Sequence, residues 1–367
     1  MGAASFQVLF GGQPADDGFY DLLKTLEVEE NADLPGAIQM TLPIATTGTP
    51  GSSDLTVLDD ARFQPYAAVA VVVSIDGQAN ACIFDGYVLS HQVRLDKGVT
   101  ASSLRVWGQD ASCLMNLEEK TREWSESDGT IANTIFGGTP YGFSTAEENT
   151  ADDSTDHPDS GHTVMQRGTD AQFLRDRARR AGRLFRVACR DLPGKNVGYF
   201  IKPDVEATAV ATLVVNPPDA ANVDTLDIEW DVARPSEVKA QALALASDPL
   251  DGGVQDSGLR VLDGRSLSAL AGDKAMKVML TTSVDTLGEL QARARSVLRE
   301  AGWFVKCEGE ADLSRLDQVL RVATVVELNG AGAIHSGNYF VWSVRHTITA
   351  ESHRMKFVLV RNHLGQA

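Results

Sequence analysis

No stretch of this 367-residue chain approaches the roughly 18 consecutive apolar residues that a membrane-spanning helix needs, so a helical membrane anchor is excluded. Basic charge is also scarce. Lysine and arginine total 33 against 50 aspartates and glutamates, a formal net charge of −17, and such a surface repels nucleic-acid phosphates and anionic membranes. Specific nucleic-acid binding is therefore not expected. With only 13 prolines, 43% hydrophobic and 23% charged residues, the composition is that of a globular protein, and the length suits two to four domains. The four cysteines, Cys82, Cys113, Cys189 and Cys307, stand singly. That spacing argues against a zinc ribbon or a redox pair and predicts reduced, buried thiols. The N-terminus, Met1-Gly2-Ala3-Ala4-Ser5-Phe6, shows no basic segment followed by an apolar one, so cytoplasmic synthesis without a signal peptide is expected. Phe6 also stands where a myristoylation signal needs Ser or Thr.

Motifs that carry chemistry are equally sparse. Gly51-Ser52-Ser53-Asp54 lacks the spacing and context of a nucleophile elbow. Phe136 to Gly142 is glycine-rich but has no Lys-Ser/Thr to make a phosphate loop. His157 and His162 lie near Asp153, Asp156 and Asp159 in a segment with Pro158 and Gly161. Metal ligands need a rigid element to aim them, and this stretch reads as an exposed acidic loop. His346 falls in a strand and is expected to be structural. No catalytic, cofactor-binding or metal-binding residue is assigned, and the chain is not read as an enzyme.

What the sequence does contain is duplication. Val69 to Gly77 followed by Ile83 to Val93, and Thr324 to Gly330 followed by Ser336 to Ile348, each read as strand, turn, strand. Asp76-Gly77 and Asn329-Gly330 supply the positive-φ turn, and the flanks are β-branched or aromatic. A chain with two copies of one module presents six around the axis of a trimer. A second pair follows. Thr169-Asp170-Ala171-Gln172 forms a capping box opening a helix over about 170–181 that stops at Gly182. A helix from near Ser283, with Leu287, Leu290, Ala294, Val297, Leu298 and Ala301 on one stripe, stops at Gly302. Both run into extended aromatic segments, Ala181-Gly182-Arg183-Leu184-Phe185 and Ala301-Gly302-Trp303-Phe304. Weaker helical signals cover 110–120, 127–136 and 236–246, and strands are expected near 197–201 and 210–215.

Charge is unevenly spread. Acidic residues crowd 16–33, whereas Arg175, Arg177, Arg179, Arg180, Arg183, Arg186 and Arg190 cluster on the first helix and the strand after it. The cluster fits a phosphate-binding face, a docking face for an acidic partner, or a solvated face neutralised by carboxylates such as Asp170 and Asp176.

The combination of Ile83-Phe84-Asp85-Gly86-Tyr87-Val88, Leu104 to Asp110, Gln166 to Ala178 with Ala181-Gly182, and Ser336 to His346 followed by Phe357 to Asn362 resembles the late control protein D family, central hub proteins of contractile phage tails and related injection machines. The likeness runs from about residue 65 to the end. It implies a β-rich α+β chain with two small tube-type β-barrel domains and intervening and inserted α/β domains. The boundaries read as 1–108 for the first barrel, 109–192 for an α/β domain, 193–235 plus 319–367 for the second barrel, and 236–318 for the insertion. It also implies a structural baseplate hub. Such a hub is a homotrimeric ring of pseudo-six-fold symmetry, joining a hexameric tail tube, or its initiator, to a trimeric spike, with baseplate wedge or adaptor proteins around it. Type VI secretion spike proteins share this hub but continue into a further barrel and a β-helix. Asn362 is followed by only five residues, so the spike is expected to be a separate protein. An acidic lumen would let DNA or acidic cargo pass, and Arg175, Arg179 and Arg183 would face another baseplate component. The particle is expected to assemble into a virion tail baseplate or injection machine. The alternatives are a tail-associated cell-wall hydrolase, which needs two carboxylates in one cleft, and a host-surface binding module using Tyr141 and Phe143.

Overall fold

A computed structural model describes residues 4–44, 56–96, 102–151, 164–242, 250–262, 264–282, 284 and 287–365. The first third of the chain supplies β1 (Ala4–Phe10), β2 (Thr25–Asn31), β3 (Ala37–Pro43), β4 (Ala68–Ile75), β5 (Ala81–Arg94) and β6 (Ser103–Asp110). The next segment holds β7 (Glu119–Trp124), α1 (Asp128–Gly137), β8 (Val164–Thr169), α2 (Asp170–Ala181), β9 (Leu184–Cys189) and β10 (Asn196–Ile201). Then come β11 (Thr212–Val214) and β12 (Thr225–Trp230), followed by β13 (Pro235–Ala242), β14 (Met276–Thr281) and α3 (Leu287–Gly302). The chain closes with β15 (Val305–Asp312), β16 (Val325–Asn329), β17 (Gly337–Ile348) and β18 (His353–Arg361). Shorter elements link these.

A 13-stranded sheet dominates, running β12-β15-β18-β17-β2-β3-β6-β5-β4-β1 and ending in the two-residue strand Gln13–Pro14 beside β1, with β16 added beside β17 and β11 beside β16. The chain is thus the β-rich α+β protein expected, with both halves in one sheet, and no ladder joins the sheet's ends among the described residues. Alternation explains the ladders. In β2, Leu26 and Val28 point inward opposite Met40 and Ile38 of β3, while Glu27 and Gln39 share the outer face. The valine run of β4 is buried on both faces because Val69, Val71 and Val73 enter the main core while Val72 packs on the other side against Cys82, Cys189 and Leu9. Gly77 and Gly330 both take positive φ, 83° and 84°, at the turns that follow β4 and β16.

Two smaller cores lie on this sheet. Trp124, Ile131, Phe136, Leu174, Phe185 and Phe200 form one between α1, α2 and the β9-β10 hairpin. Val238, Ala240, Leu290, Ala294 and Leu298 form the other, where α3 covers the parallel pair β13-β14. The capping box forms as read: Thr169 Oγ1 accepts from Gln172 N at 3.2 Å, and Gln172 Oε1 accepts from Thr169 N at 3.3 Å. Gly182 ends α2 at φ 63°.

Some expectations change. The helix expected over 236–246 is strand β13 as far as Ala242: Ser236, Val238, Ala240 and Ala242 are buried in alternation against α3, so packing overrides the helix-forming composition. Over 110–120 only a short 3-10 turn, Ala111–Asn116, precedes β7. Strand β15, which the sequence reading puts in the insertion, pairs with β12 and β18 in the large sheet. Cys82 and Cys189, expected as separate thiols, are joined by a disulfide across a Cα–Cα separation of 5.8 Å, because β5 and β9 meet in space though 107 residues apart. Cys113 and Cys307 are free and buried, and burial pushes both thiols up to about 11.

Candidate functional site

The two halves of the sheet are the same construction. In the first, Glu27, Gln39, Trp107 and Ser90 lie side by side across β2, β3, β6 and β5. In the second, Asp227, Glu308, Val358 and Ser343 do so across β12, β15, β18 and β17. Both long strands carry a register shift at the same place, between Val88 and Ser90 in β5 and between Val341 and Ser343 in β17. One ladder joins the halves, β2 against the second half of β17, from Asn31 opposite Ser343 to Leu26 opposite Ile348. On its outer face Arg345 Nη2 lies 2.6 Å from Glu29 Oε2.

The outer face carries both signs. Glu27, Glu29, Asp227, Glu229, Glu308 and Glu310 are interspersed with Arg105, Arg345, Arg354, Lys306 and Lys356. Glu310 pairs with Arg354 at 2.8 Å, and Lys306 pairs with Glu308. A shallow depression of about 450 Å³ lies between Glu29, Asp227, Glu308, Arg345 and Phe357.

A buried polar joint fastens the α/β segment to both halves. Arg321, just before β16, grips Glu30 of β2 through Nε and Nη2 at 2.7–2.9 Å, and Nη2 also donates to the Cys189 carbonyl at 3.1 Å. The Cys82–Cys189 disulfide lies at the same place, where Cys82 N donates to the Arg190 carbonyl at 3.2 Å. Arg186 stacks over Tyr199 at 4.6 Å. A cavity of about 30 Å³, room for a single water, opens among Glu30, Asp110, Arg186 and Arg321. Burial raises the Asp110 carboxyl to about 6, against the hydrogen bonds it accepts from Ser112 and Gly36. None of this was legible in residue spacing, because each partner comes from a different part of the chain.

The basic cluster is scattered by the fold. Arg183 is buried, with Nη1 donating to the Asn149 and Phe200 carbonyls at 3.0 Å and Nη2 to that of Ala151 at 2.8 Å. Arg177 is buried against Asp128. Arg175 is half-buried over the Phe185 ring, and Arg179 is exposed, 3.3 Å from Asp33. The α2 terminus is held by α3: Arg299 Nη1 donates to the Ala181 carbonyl at 2.9 Å and Ser296 Oγ to that of Arg179 at 2.6 Å.

Other candidates land as follows. His346 is fully buried, its Nδ1 3.0 Å from His353 Nε2, and burial pushes both rings down, His353 to about 4. Tyr141 donates to Asp170 Oδ2 at 2.8 Å and Phe143 is buried, so neither is a free aromatic on a loop. His157, His162 and Gly51 to Asp54 lie outside the described residues. Among the described residues no three His, Cys, Asp or Glu gather as a metal site would require, and no helix is long and apolar enough to cross a membrane. A groove of about 660 Å³ between β4, β5 and Pro140 to Ser144 is lined by one carboxylate, Asp85.

Residues 3–350 match the family described as Alg8 N-terminal domain, and the chain belongs to that family. No curated protein sequence matches it. Among solved structures, a tail protein of Neisseria meningitidis superposes with a TM-score of 0.68 at 16% identity, covering 98% of this chain and 97% of that one. The 43 kDa tail protein of prophage MuSo2 from Shewanella oneidensis gives 0.61 at 15% identity with coverage of 98% and 97%. The E. coli c3393 protein gives 0.56 at 12% identity, covering 98% of this chain and 79% of that one. It is described as a type VI secretion component similar in structure to the T4 bacteriophage tail proteins gp27 and gp5. The fold is that of these tail and secretion proteins.

Proposed function

We propose that the chain is a structural hub of a contractile tail or injection machine, a homotrimeric ring of pseudo-six-fold symmetry between a hexameric tube and a trimeric spike. The observation that carries this reading is the repeated half-sheet: two like modules stand side by side in one sheet and, among the described residues, leave a strand edge open at β12 and another along the end of β5. Open edges invite pairing, and a ring removes them. The shared fold with tail proteins supports it. No enzymatic role is proposed. The division at 108, 192, 235 and 318, with β15 moved to the second module, belongs to this proposal, as do a separate spike, tube or tube-initiator and adaptor partners, and assembly into a particle. With the outer face of the sheet toward the channel, the lumen would be of mixed charge rather than the acidic one that composition implies. Docking of a baseplate component through Arg175, Arg179 and Arg183 would rest mainly on Arg179, the exposed member.

Light scattering of the purified chain, alone and with a candidate spike, tests the ring. A mass near three times 39.4 kDa with a central hole in negative-stain images is expected. A monomer under both conditions would sink the reading.

A further inference from the structure

The ladder between β2 and β17 is a template for a contact that the single chain leaves unmade. Since β12 occupies in the second half the place of β2, and β5 that of β17, the repeat defines which residues would meet if β12 of one copy paired with β5 of another. Alignment of the two rows fixes Asp227 as the counterpart of Glu27 and Ser90 as that of Ser343.

Exposure at the two edges agrees with this. At the internal joint, Leu26, Val28, Ala32, Val344, His346 and Ile348 are at most 2% exposed. Their counterparts on the free edges are less covered: Val232 is 42% exposed and Leu95 61%, while Leu226, Ile228 and Val93 are half-buried; Trp230, in the place of Glu30, is 53% exposed, and Leu89, in the place of Trp342, 38%. Large apolar side chains at a free strand edge are an aggregation hazard unless something covers them.

We infer that β12 of one copy pairs antiparallel with the end of β5 of the next, with Asp231 opposite Ser90, Glu229 opposite Gln92 and Asp227 opposite Arg94. The partner is a second copy of this chain. On the inner side Trp230 meets His91, Ile228 meets Val93 and Leu226 meets Leu95, and the Val232 amide reaches the Leu89 carbonyl as Ala32 N reaches that of Trp342 at 2.9 Å. Arg94, which within one chain bonds Asp96 at 2.8 Å, gains Asp227 across the joint. The pairing is head-to-tail, so each copy gives one edge and receives the other. The inference rests on the ring reading and adds its register.

The test is a chain carrying both Arg94→Cys and Asp227→Cys. Opposed strand residues lie about 5 Å apart, within disulfide range. Under mild oxidation, closed trimer and linear dimer bands should appear on a non-reducing gel, and pairing Val93→Cys with Asp227→Cys, on opposite faces, should give roughly tenfold less. Because cysteine at the edge could itself disturb assembly, Arg94→Glu is measured by light scattering. It should weaken self-association at least tenfold, and Arg94→Glu with Asp227→Arg should restore it. A wild-type trimer with no cross-link at these positions, and no response to Arg94→Glu, overturns the register while leaving the ring intact. A wild-type monomer that never cross-links overturns both.

Discussion

Arg321 and Glu30 stand 291 residues apart in the chain and share a two-pronged ion pair at the place where both half-sheets and the α/β segment meet. The Glu30 side chain is 7% exposed and that of Arg321 19%. Removing one partner of such a pair leaves the other buried without its counter-charge. Arg321→Ala is therefore expected to cost about 3–5 kcal/mol, read from the urea midpoint at constant m-value. Arg321→Lys, which keeps charge but loses the fork, should recover only part. A change below about 1 kcal/mol would show that the joint does not depend on this pair.

The disulfide between Cys82 and Cys189 closes a long loop at the same joint. Reduction of the folded protein is expected to lower the thermal midpoint by roughly 3–5 °C, from the 2–4 kcal/mol that such cross-links contribute. Replacing Cys113 and Cys307 by serine should leave that sensitivity to reductant in place. Thiol counting by mass spectrometry after alkylation in denaturant checks the assignment, which predicts two accessible thiols before reduction and four after.

Acid should loosen the second half-sheet. Burial holds His353 near 4 and His363 near 3, both far below the ordinary 6.5. A ring that titrates lower in the fold than in the unfolded chain lends its stability above the unfolded value and loses it as pH falls toward the folded one. Asp110 works in the opposite sense: its raised carboxyl favours the fold below about 4 and loses that advantage as pH rises through about 6. The histidines outweigh it. The urea midpoint should fall between pH 6.5 and pH 4, and a rising midpoint over that window would contradict the burial of the pair.

Gly86, in the Phe84-Asp85-Gly86-Tyr87 segment, lies so close to β6 that a Cβ there would stand 2.1 Å from the Gln109 carbonyl oxygen. The obstacle is backbone and has no easy retreat. Gly86→Ala is expected to destabilise by about 2 kcal/mol or more, whereas Gly12→Ala, at a turn open to solvent but with φ 80°, should cost about 1 kcal/mol through strain alone. Equal effects at the two sites would contradict this close packing of β5 on β6.

Local chemistry made much of the protein legible. β-Branched and aromatic runs around Asp76-Gly77 and Asn329-Gly330 marked the two hairpins, the Thr169 and Gln172 pair marked the start of α2, and Gly182 marked its end, because each signal is complete within a few residues. Over 236–242 the same local reasoning pointed to helix, and α3 made it strand by burying every second side chain.

The sequence by itself determined that the chain is β-rich, acidic and twice repeated, since strand period, glycine turns and helix caps are short-range properties. Only the tertiary structure decided that the two repeats merge through β2 and β17, that Cys82 meets Cys189, and that the arginine cluster divides between core and surface. Those outcomes depend on which distant strands lie side by side. That is set by the burial of whole faces against one another, to which spacing along the chain gives no access.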